Sequence, residues 1–113
     1  MPKTTKTDGL TGIKKAIIGA SIYKVIHTDE NIVAGGEHCY GSHGYSAREI
    51  KITIDEDVHL QQREETLLHE IIHAIDGDRD LELSEGQIGG VSAGVYQAMR
   101  DNKNIFDLFT FGL

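Results

Sequence analysis

The sequence contains one cysteine, Cys39, and no long uninterrupted run of apolar residues. A single cysteine cannot form an internal disulfide, which fits a chain that works in a reducing compartment. No stretch of about 18 apolar residues is present that could span a bilayer, and residues 1–12 lack the apolar segment of a secretion signal. We therefore expect a cytoplasmic protein with no membrane partner.

Positive charge is also scarce, because 11 Lys and Arg residues face 18 Asp and Glu residues, for a net charge of −7. Nucleic acids and anionic membranes both reward an excess of positive charge. We therefore expect no nucleic-acid partner. A peptide or protein substrate is compatible with this charge, and so is a homodimer.

The length of 113 residues predicts one domain. We place this domain at residues 13–104, between a flexible polar tail at 1–12 and an apolar C-terminal tail at 105–113. The C-terminal tail carries three phenylalanines. These side chains could cover a substrate cleft, contact a partner subunit or pack on the domain's own core.

Runs of β-branched residues and alternating polarity predict three strands, at residues 13–18, 21–28 and 48–54. Gly19-Ala20 would join the first two strands as a hairpin. The segment 32–46, between the second and third strands, is rich in glycine. We predict an irregular loop there.

Two helices are predicted after the strands. The first begins between Leu60 and Arg63 and ends near Asp76, with Gly77 as the residue that follows its end. Its apolar stripe is typical of a helix that packs on one face.

The second predicted helix spans residues 85–100, after Ser84 and Gln87 in the pattern of a capping box. Its expected buried line consists of Ile88, Val91, Val95 and Met99. Together these elements predict an α+β fold in which a three-stranded sheet packs on two main helices.

The first predicted helix contains a His-Glu-x-x-His pattern at residues 69–73, within an apolar run. Residues four apart lie on one helical face, so His69 and His73 can reach one metal ion, for which zinc fits best. Glu70 could take a proton from water activated by that ion. The alternative is a chance match on a solvated helix face, which the neighbouring Leu and Ile residues disfavour.

Catalytic zinc usually has three protein ligands, so the third must come from outside the motif. We select Glu85, because a short link between the helices would bring the start of the second near the end of the first. Asp76 is the next candidate, and it could instead hold the free N–H of a ligand. Three other acids in the link are weaker candidates: Asp78, Asp80 and Glu82.

The predicted loop also carries potential metal ligands, namely His38, Cys39 and His43. They could form a second metal site, or Cys39 could cap the zinc as an inhibitory thiolate. A glycine-rich loop that simply contains polar residues is the interpretation that we prefer.

Three blocks of sequence resemble a known family: EETLLHEIIHAID at 64–76, LSE at 83–85 and GVYQAMRDN at 94–102. They are similar to small zinc metallopeptidase-like proteins of bacteria and their phages. These compact gluzincins, sometimes called minigluzincins, distantly resemble the ImmA/IrrE peptidases. The resemblance spans residues 48–102 and implies a zincin-like fold, in which a small sheet covers an active-site helix and a glutamate helix.

The resemblance also implies roles for individual residues. His69, His73 and Glu85 would bind Zn²⁺, and Glu70 would be the general base. An extended peptide substrate would pair with the strand at 49–54. Proteins of this kind are also known to be latent, so the isolated chain could lack turnover.

Two functions are compatible with these observations. The first is a zinc-dependent hydrolase of peptide bonds, and the second is a zinc-stabilised binding or regulatory module without turnover. The presence of Glu70 favours the hydrolase, because a structural zinc site does not need a base. The short chain favours the module, because it leaves few residues to form the walls of a substrate-binding cleft.

Overall fold

In the computed structural model, which describes residues 9–34 and 36–112, the strands come first and the long helices last. The strands are β1 (Lys15–Ile18), β2 (Ser21–Thr28), β3 (Ile32–Ala34), β4 (Glu37–Cys39), β5 (Gly41–Gly44) and β6 (Glu49–Thr53). The helices are α1 (Leu60–Arg79), α2 (Glu85–Asp101) and the short α3 (Lys103–Phe106). A 3-10 helix at Gly9–Gly12 precedes β1.

Four of the strands form a mixed sheet in the order β1-β2-β6-β5. The central strands β2 and β6 run parallel, whereas β1 and β5 are antiparallel to their neighbours. Strands β3 and β4 form a separate antiparallel pair. The predicted α+β class with two main helices is confirmed. The prediction of a three-stranded sheet is wrong, because β5 adds a fourth strand.

Strand β5 lies inside the segment that the sequence predicts as an irregular loop. Two of its four residues are Gly41 and Gly44, so it lacks an alternating pattern. Its backbone nevertheless pairs with β6, from Gly41 opposite Ile52 to Gly44 opposite Glu49. A Cβ at Gly41 would lie 2.6 Å from Thr66 Cγ2. Glycine at this position therefore lets α1 approach the sheet closely.

The predicted hairpin of β1 and β2 is confirmed. Ile18 pairs with Ser21, and Gly19 between them has a φ angle of 59°, which glycine adopts without a steric cost. Tyr23 and Val25 of β2 are both buried, so they share the face that lies against the core.

Strand β6 carries the most deeply buried side chains of the sheet. Ile50 and Ile52 are fully buried and cluster with Tyr23, Val25 and Ala74 of α1. Burial of one isoleucine side chain stabilises a fold by about 1.5–3 kcal/mol. This packing holds α1 across the sheet, where it contacts both β5 and β6.

Helix α1 does not end at Asp76, as the sequence predicts, but continues to Arg79. The residue that ends it is Asp80, which takes a left-handed conformation with a φ angle of 53°. Gly77 lies within the helix, where a Cβ would be 2.6 Å from Cε1 of Tyr45. The absence of a side chain at Gly77 therefore serves close packing and not helix termination.

The predicted capping box at the start of α2 is confirmed. The predicted buried line is wrong beyond Ile88, since Val91, Val95 and Met99 are 45%, 36% and 46% exposed. The buried residues are Ile88 and Ser92, which lie one turn apart. The reason is that α2 packs mainly on α1 and buries only the stripe that faces it.

The flexible tail predicted at residues 1–12 is only partly testable, because residues 1–8 lie outside the described residues. Residues 9–12 form the 3-10 helix, and Leu10 joins the buried core. Its apolar side chain holds this turn against the sheet.

The apolar C-terminal tail contains phenylalanines that contact one another. The ring centroids of Phe106 and Phe109 are 5.5 Å apart, and those of Phe109 and Phe111 are 6.1 Å apart. Phe109 and Phe111 are exposed, so they do not pack into the core. Within residues 9–34 and 36–112, no helix combines the length and the apolar character needed to cross a membrane.

Candidate metal and catalytic site

The two motif histidines lie one turn apart on α1, with ring centroids 4.9 Å apart. Glu85, the first residue of α2, faces both of them. Its Oε1 lies 2.7 Å from Nε2 of His69, and its Oε2 lies 3.0 Å from Nε2 of His73. The structure thus brings the three side chains together, and each offers a ligand atom within 4.8 Å of the others.

The link between α1 and α2 determines where Glu85 lies. Asp80 and Glu82 both have positive φ angles, of 53° and 59°, which bend the link sharply. Oδ1 of Asp76 accepts the backbone N–H of Leu83 at 3.0 Å. This bond and the capping box fix the direction in which α2 starts, with its first residue toward the histidines.

The alternative third ligands occupy other positions. Asp76 holds the link, and Asp78 lies so close to the β1–β2 turn that a Cβ on Gly19 would overlap its carboxylate. Asp80 and Glu82 are exposed. Among the described residues, neither of the two groups of potential metal ligands includes any of these four acids.

Ser92 is a site residue that lies behind His69 and is fully buried. Its hydroxyl donates to the carbonyl of Gly89 at 3.1 Å, and its Oγ lies 3.3 Å from Nδ1 of His69. A hydroxyl that gives its proton to Gly89 would accept an N–H from Nδ1 at Oγ. The lone pair of His69 Nε2 then faces Oε1 of Glu85 at 2.7 Å. Two such acceptors repel each other unless a proton or a metal ion lies between them.

Glu70, the predicted general base, is buried and contacts a residue of the sheet. Its Oε1 lies 2.6 Å from Nδ1 of His43, which is on β5. The His43 ring also stacks on His73, with centroids 4.2 Å apart and an interplanar angle of 22°. His43, Glu70 and His73 form a second group of potential ligand atoms.

His38, Cys39 and His43, the residues of the alternative second metal site, are not brought together within the described residues. His38 is exposed, and Sγ of Cys39 lies near two backbone carbonyl oxygens, 3.4 Å from that of Glu37 and 3.9 Å from that of Ala34. His43 alone faces α1. His38 and Cys39 are neighbours on β4 and point to opposite faces, and His43 lies on β5, which belongs to a different sheet.

A cleft of about 580 Å³ runs along the site. One side of the cleft is formed by residues of β3, β4 and β5 together with Tyr40, and the other side is formed by residues of α1 together with Glu85. The charged side chains of the lining include Glu37 and Glu65, and no Lys or Arg among the described residues contributes to it. The cleft is therefore acidic.

The electrostatics of the site favour a charged Glu85 and a neutral Tyr45. Burial raises the pKa of Glu85, but the neighbouring His69 and His73 lower it by more, so the pKa lies below its ordinary value. Burial, and then the charge of Asp76, raises the pKa of Tyr45. Tyr45 therefore keeps its proton, and its hydroxyl donates a hydrogen bond to the backbone carbonyl of His73 at 2.8 Å.

Sequence reasoning missed Ser92 and did not connect His43 with Glu70. A signal for Ser92 exists, since it lies seven residues after Glu85 and so on the same face of α2. No local signal exists for His43, because its position depends on the pairing of β5 with β6.

Comparison of this chain with family models, curated proteins and solved structures found no match. The resemblance to the compact gluzincins, and the zincin-like fold that it implies, therefore stay predictions.

Proposed function

We propose that this protein is a zinc-dependent metallopeptidase in which His69, His73 and Glu85 bind Zn²⁺ and Glu70 is the general base. The observation that carries the proposal is the arrangement around His69. Its Nε2 faces a carboxylate oxygen of Glu85 at 2.7 Å, while its Nδ1 is hydrogen-bonded to Ser92. A cation between Nε2 and the carboxylate removes the repulsion between two acceptors.

Zinc fits this set of ligand atoms. Ligand atoms around a tetrahedral zinc ion are about 3.3 Å apart, given zinc–ligand bonds of about 2.0–2.1 Å. The Glu85 oxygens lie 2.7 Å and 3.0 Å from the two histidine nitrogens, and the Glu85 side chain is 70% exposed and free to move outward. Ser92 supplies the kind of hydrogen bond that usually orients a ligand histidine.

Bound zinc would polarise the scissile carbonyl group and lower the pKa of the attacking water. The Glu70 carboxylate would take one proton from that water as the water oxygen bonds to the carbonyl carbon. Glu70 would then give this proton to the peptide nitrogen as the C–N bond breaks. The proton removed from water thus leaves with the amine, and Glu70 returns to its charged form.

The expectation that substrate pairs with the strand at 49–54 needs correction. This strand is β6, which lies between β2 and β5 and is paired on both sides. Within the described residues, β1 and β5 are the edge strands of the sheet, and β5 lines the cleft beside the histidines. We therefore assign the extended peptide to the outer edge of β5.

The same features support the zincin-like fold as part of the proposal. A mixed sheet presents its edge strand β5 beside α1, which carries the motif, and α2 begins with the third carboxylate. The order of these elements is the one that the resemblance implies.

The test compares zinc content and cleavage of an unfolded protein substrate for the wild type, Glu70→Gln and Glu56→Gln. All three proteins should bind zinc, because Glu70 is not a proposed ligand. Glu70→Gln should lose about 10²–10⁴-fold in kcat, since general base catalysis contributes about that much. Glu56, exposed in the turn before α1, is the matched control and should keep wild-type activity.

Full cleavage by Glu70→Gln would contradict the proposal, and so would a wild type that binds no zinc. Zinc bound by every variant without cleavage by any would instead support the zinc-stabilised binding or regulatory module.

A further inference from the structure

We infer that His43 is a positioning residue that holds the Glu70 carboxylate for proton transfer, an inference that rests on the proposed function. Its Nδ1 lies 2.6 Å from Oε1 of Glu70, and its ring stacks on His73. His43 thus links the edge strand β5 to both the base and a proposed metal ligand.

The direction of this hydrogen bond follows from the chemistry of a base. A carboxylate that is ready to take a proton can only accept hydrogen bonds, so Nδ1 of His43 carries the proton. In a neutral ring, Nε2 then bears a lone pair. His43 in this state donates to Glu70 and cannot also donate from Nε2 to the oxygen of a substrate carbonyl.

Glu70 needs such a donor because it is only 6% exposed. A carboxylate removed from water is costly unless hydrogen bonds replace its hydration. The N–H of His43 replaces part of that hydration and fixes the plane of the carboxylate. Because the bond engages Oε1, it leaves Oε2 for the proton of the water.

The position of His43 is set by strand pairing. His43 lies opposite Ile50 of β6, which is fully buried, and this register directs its ring to α1. A slip of β5 by one residue would turn the ring to the other face of the sheet. The orientation of the base therefore depends on the edge strand as well as on its own helix.

Three variants separate the two contacts of His43. His43→Phe keeps a ring that can stack on His73 but removes the donor. His43→Asn keeps an N–H donor near the position of Nδ1 but removes the ring. His43→Ala removes both. For each variant we would measure zinc content, thermal unfolding, and kcat and KM on the peptide that the wild type cleaves.

We expect His43→Phe and His43→Ala to lose about 10–100-fold in kcat with little change in KM, because the base is no longer oriented. His43→Asn should recover most of the lost kcat, and zinc content should be unchanged in all three. Wild-type kcat in His43→Phe, failure of His43→Asn to recover activity, or loss of zinc in a folded variant would each overturn the inference.

A second measurement does not depend on turnover. The carboxyl ¹³C signal of Glu70 in the zinc-loaded protein, assigned with Glu70→Gln, should move in His43→Phe and stay near its wild-type position in His43→Asn. If the wild type cleaves no peptide, the proposed function fails, and this signal alone decides whether His43 holds the carboxylate. An identical signal in the wild type and His43→Phe would overturn the inference.

Discussion

Two of the polar contacts that join helices α1 and α2 differ in chemistry. At the site end, which consists of His69, His73 and Glu85, one carboxylate faces two imidazole nitrogens. At the distal end, which consists of Glu64 and Tyr96, the phenol donates to the carboxylate at 2.7 Å. The distal contact is already a complete donor–acceptor pair, whereas the site end requires a proton or a cation. We therefore expect the two ends to respond to different perturbations.

The distal end lies beside an apolar groove. The groove is lined mainly by Leu67, Leu68, Ile71 and Met99 together with the distal residues. Burial, followed by the hydrogen bond and the charge of Glu64, raises the pKa of Tyr96 to about 12. Packing and a neutral donor hold the helices together here, so zinc has no part in this contact.

The largest difference between the two ends should appear in zinc affinity. Glu85→Gln should weaken zinc binding by more than about 100-fold, because even residues that only support a ligand contribute about 10–100-fold. Tyr96→Phe and Glu82→Gln should bind zinc like the wild type. Competition with a chromophoric chelator would measure these affinities. Wild-type affinity in Glu85→Gln would mean that the third ligand lies elsewhere.

Zinc should also stabilise the fold through the site end. At a free zinc concentration of about 100 times Kd, the free energy of unfolding should rise by about 2.7 kcal/mol. Thermal unfolding with zinc and with EDTA would measure the gain. Tyr96→Phe should show the same gain, whereas Glu85→Gln should lose it. A gain of equal size in both variants would break the distinction between the two ends.

Loss of the distal contact should have a smaller effect, which is independent of zinc. Tyr96→Phe should lower the free energy of unfolding by about 0.5–1.5 kcal/mol, the usual contribution of one hydrogen bond. Urea unfolding would measure this loss, both with zinc and with EDTA. Tyr40→Phe is the matched control, since Tyr40 is 44% exposed, and it should leave stability nearly unchanged.

The smallest effect should be the pH response of the distal end. The pKa of Tyr96 is about 12 in the folded chain, against an ordinary value of 10.0. Between these pH values the folded state keeps a proton that the unfolded state loses, so this contribution to stability is full below about pH 10 and declines toward about pH 12. Phenolate absorbance should reveal a tyrosine that titrates near pH 12, and this titration should be absent from Tyr96→Phe. Titration of every tyrosine near pH 10 would contradict this expectation.

Local signals in the sequence account for most of the site. His69 and His73 lie on one face because the period of a helix dictates it, whatever the rest of the fold does. The approach of Glu85 was predictable from a short link and a capping box, both of which are local. The final distance also depends on left-handed residues at Asp80 and Glu82, which no helix or strand pattern reveals.

The predictions from the sequence are wrong where pairing between distant segments decides the structure. Strand β5 forms because β6 offers an open edge, although its own glycines disfavour a strand. His43 reaches Glu70 only as a consequence of that pairing. The exposure of Val91 and Val95 has a similar cause, because an apolar pattern does not reveal how many neighbours a helix has.

The parallel pairing of β2 with β6 has a consequence for how this protein could diversify. Two neighbouring parallel strands need a connection that returns the chain to the end of the sheet where the first strand began. Here the segment 29–48 is that connection, and it contains β3, β4 and β5. One side of the cleft is thus formed by a single contiguous insert between β2 and β6, and these two strands pair directly with each other. Exchange of this insert alone would change what the cleft admits, while the histidine helix and the acid that faces it keep their sequence.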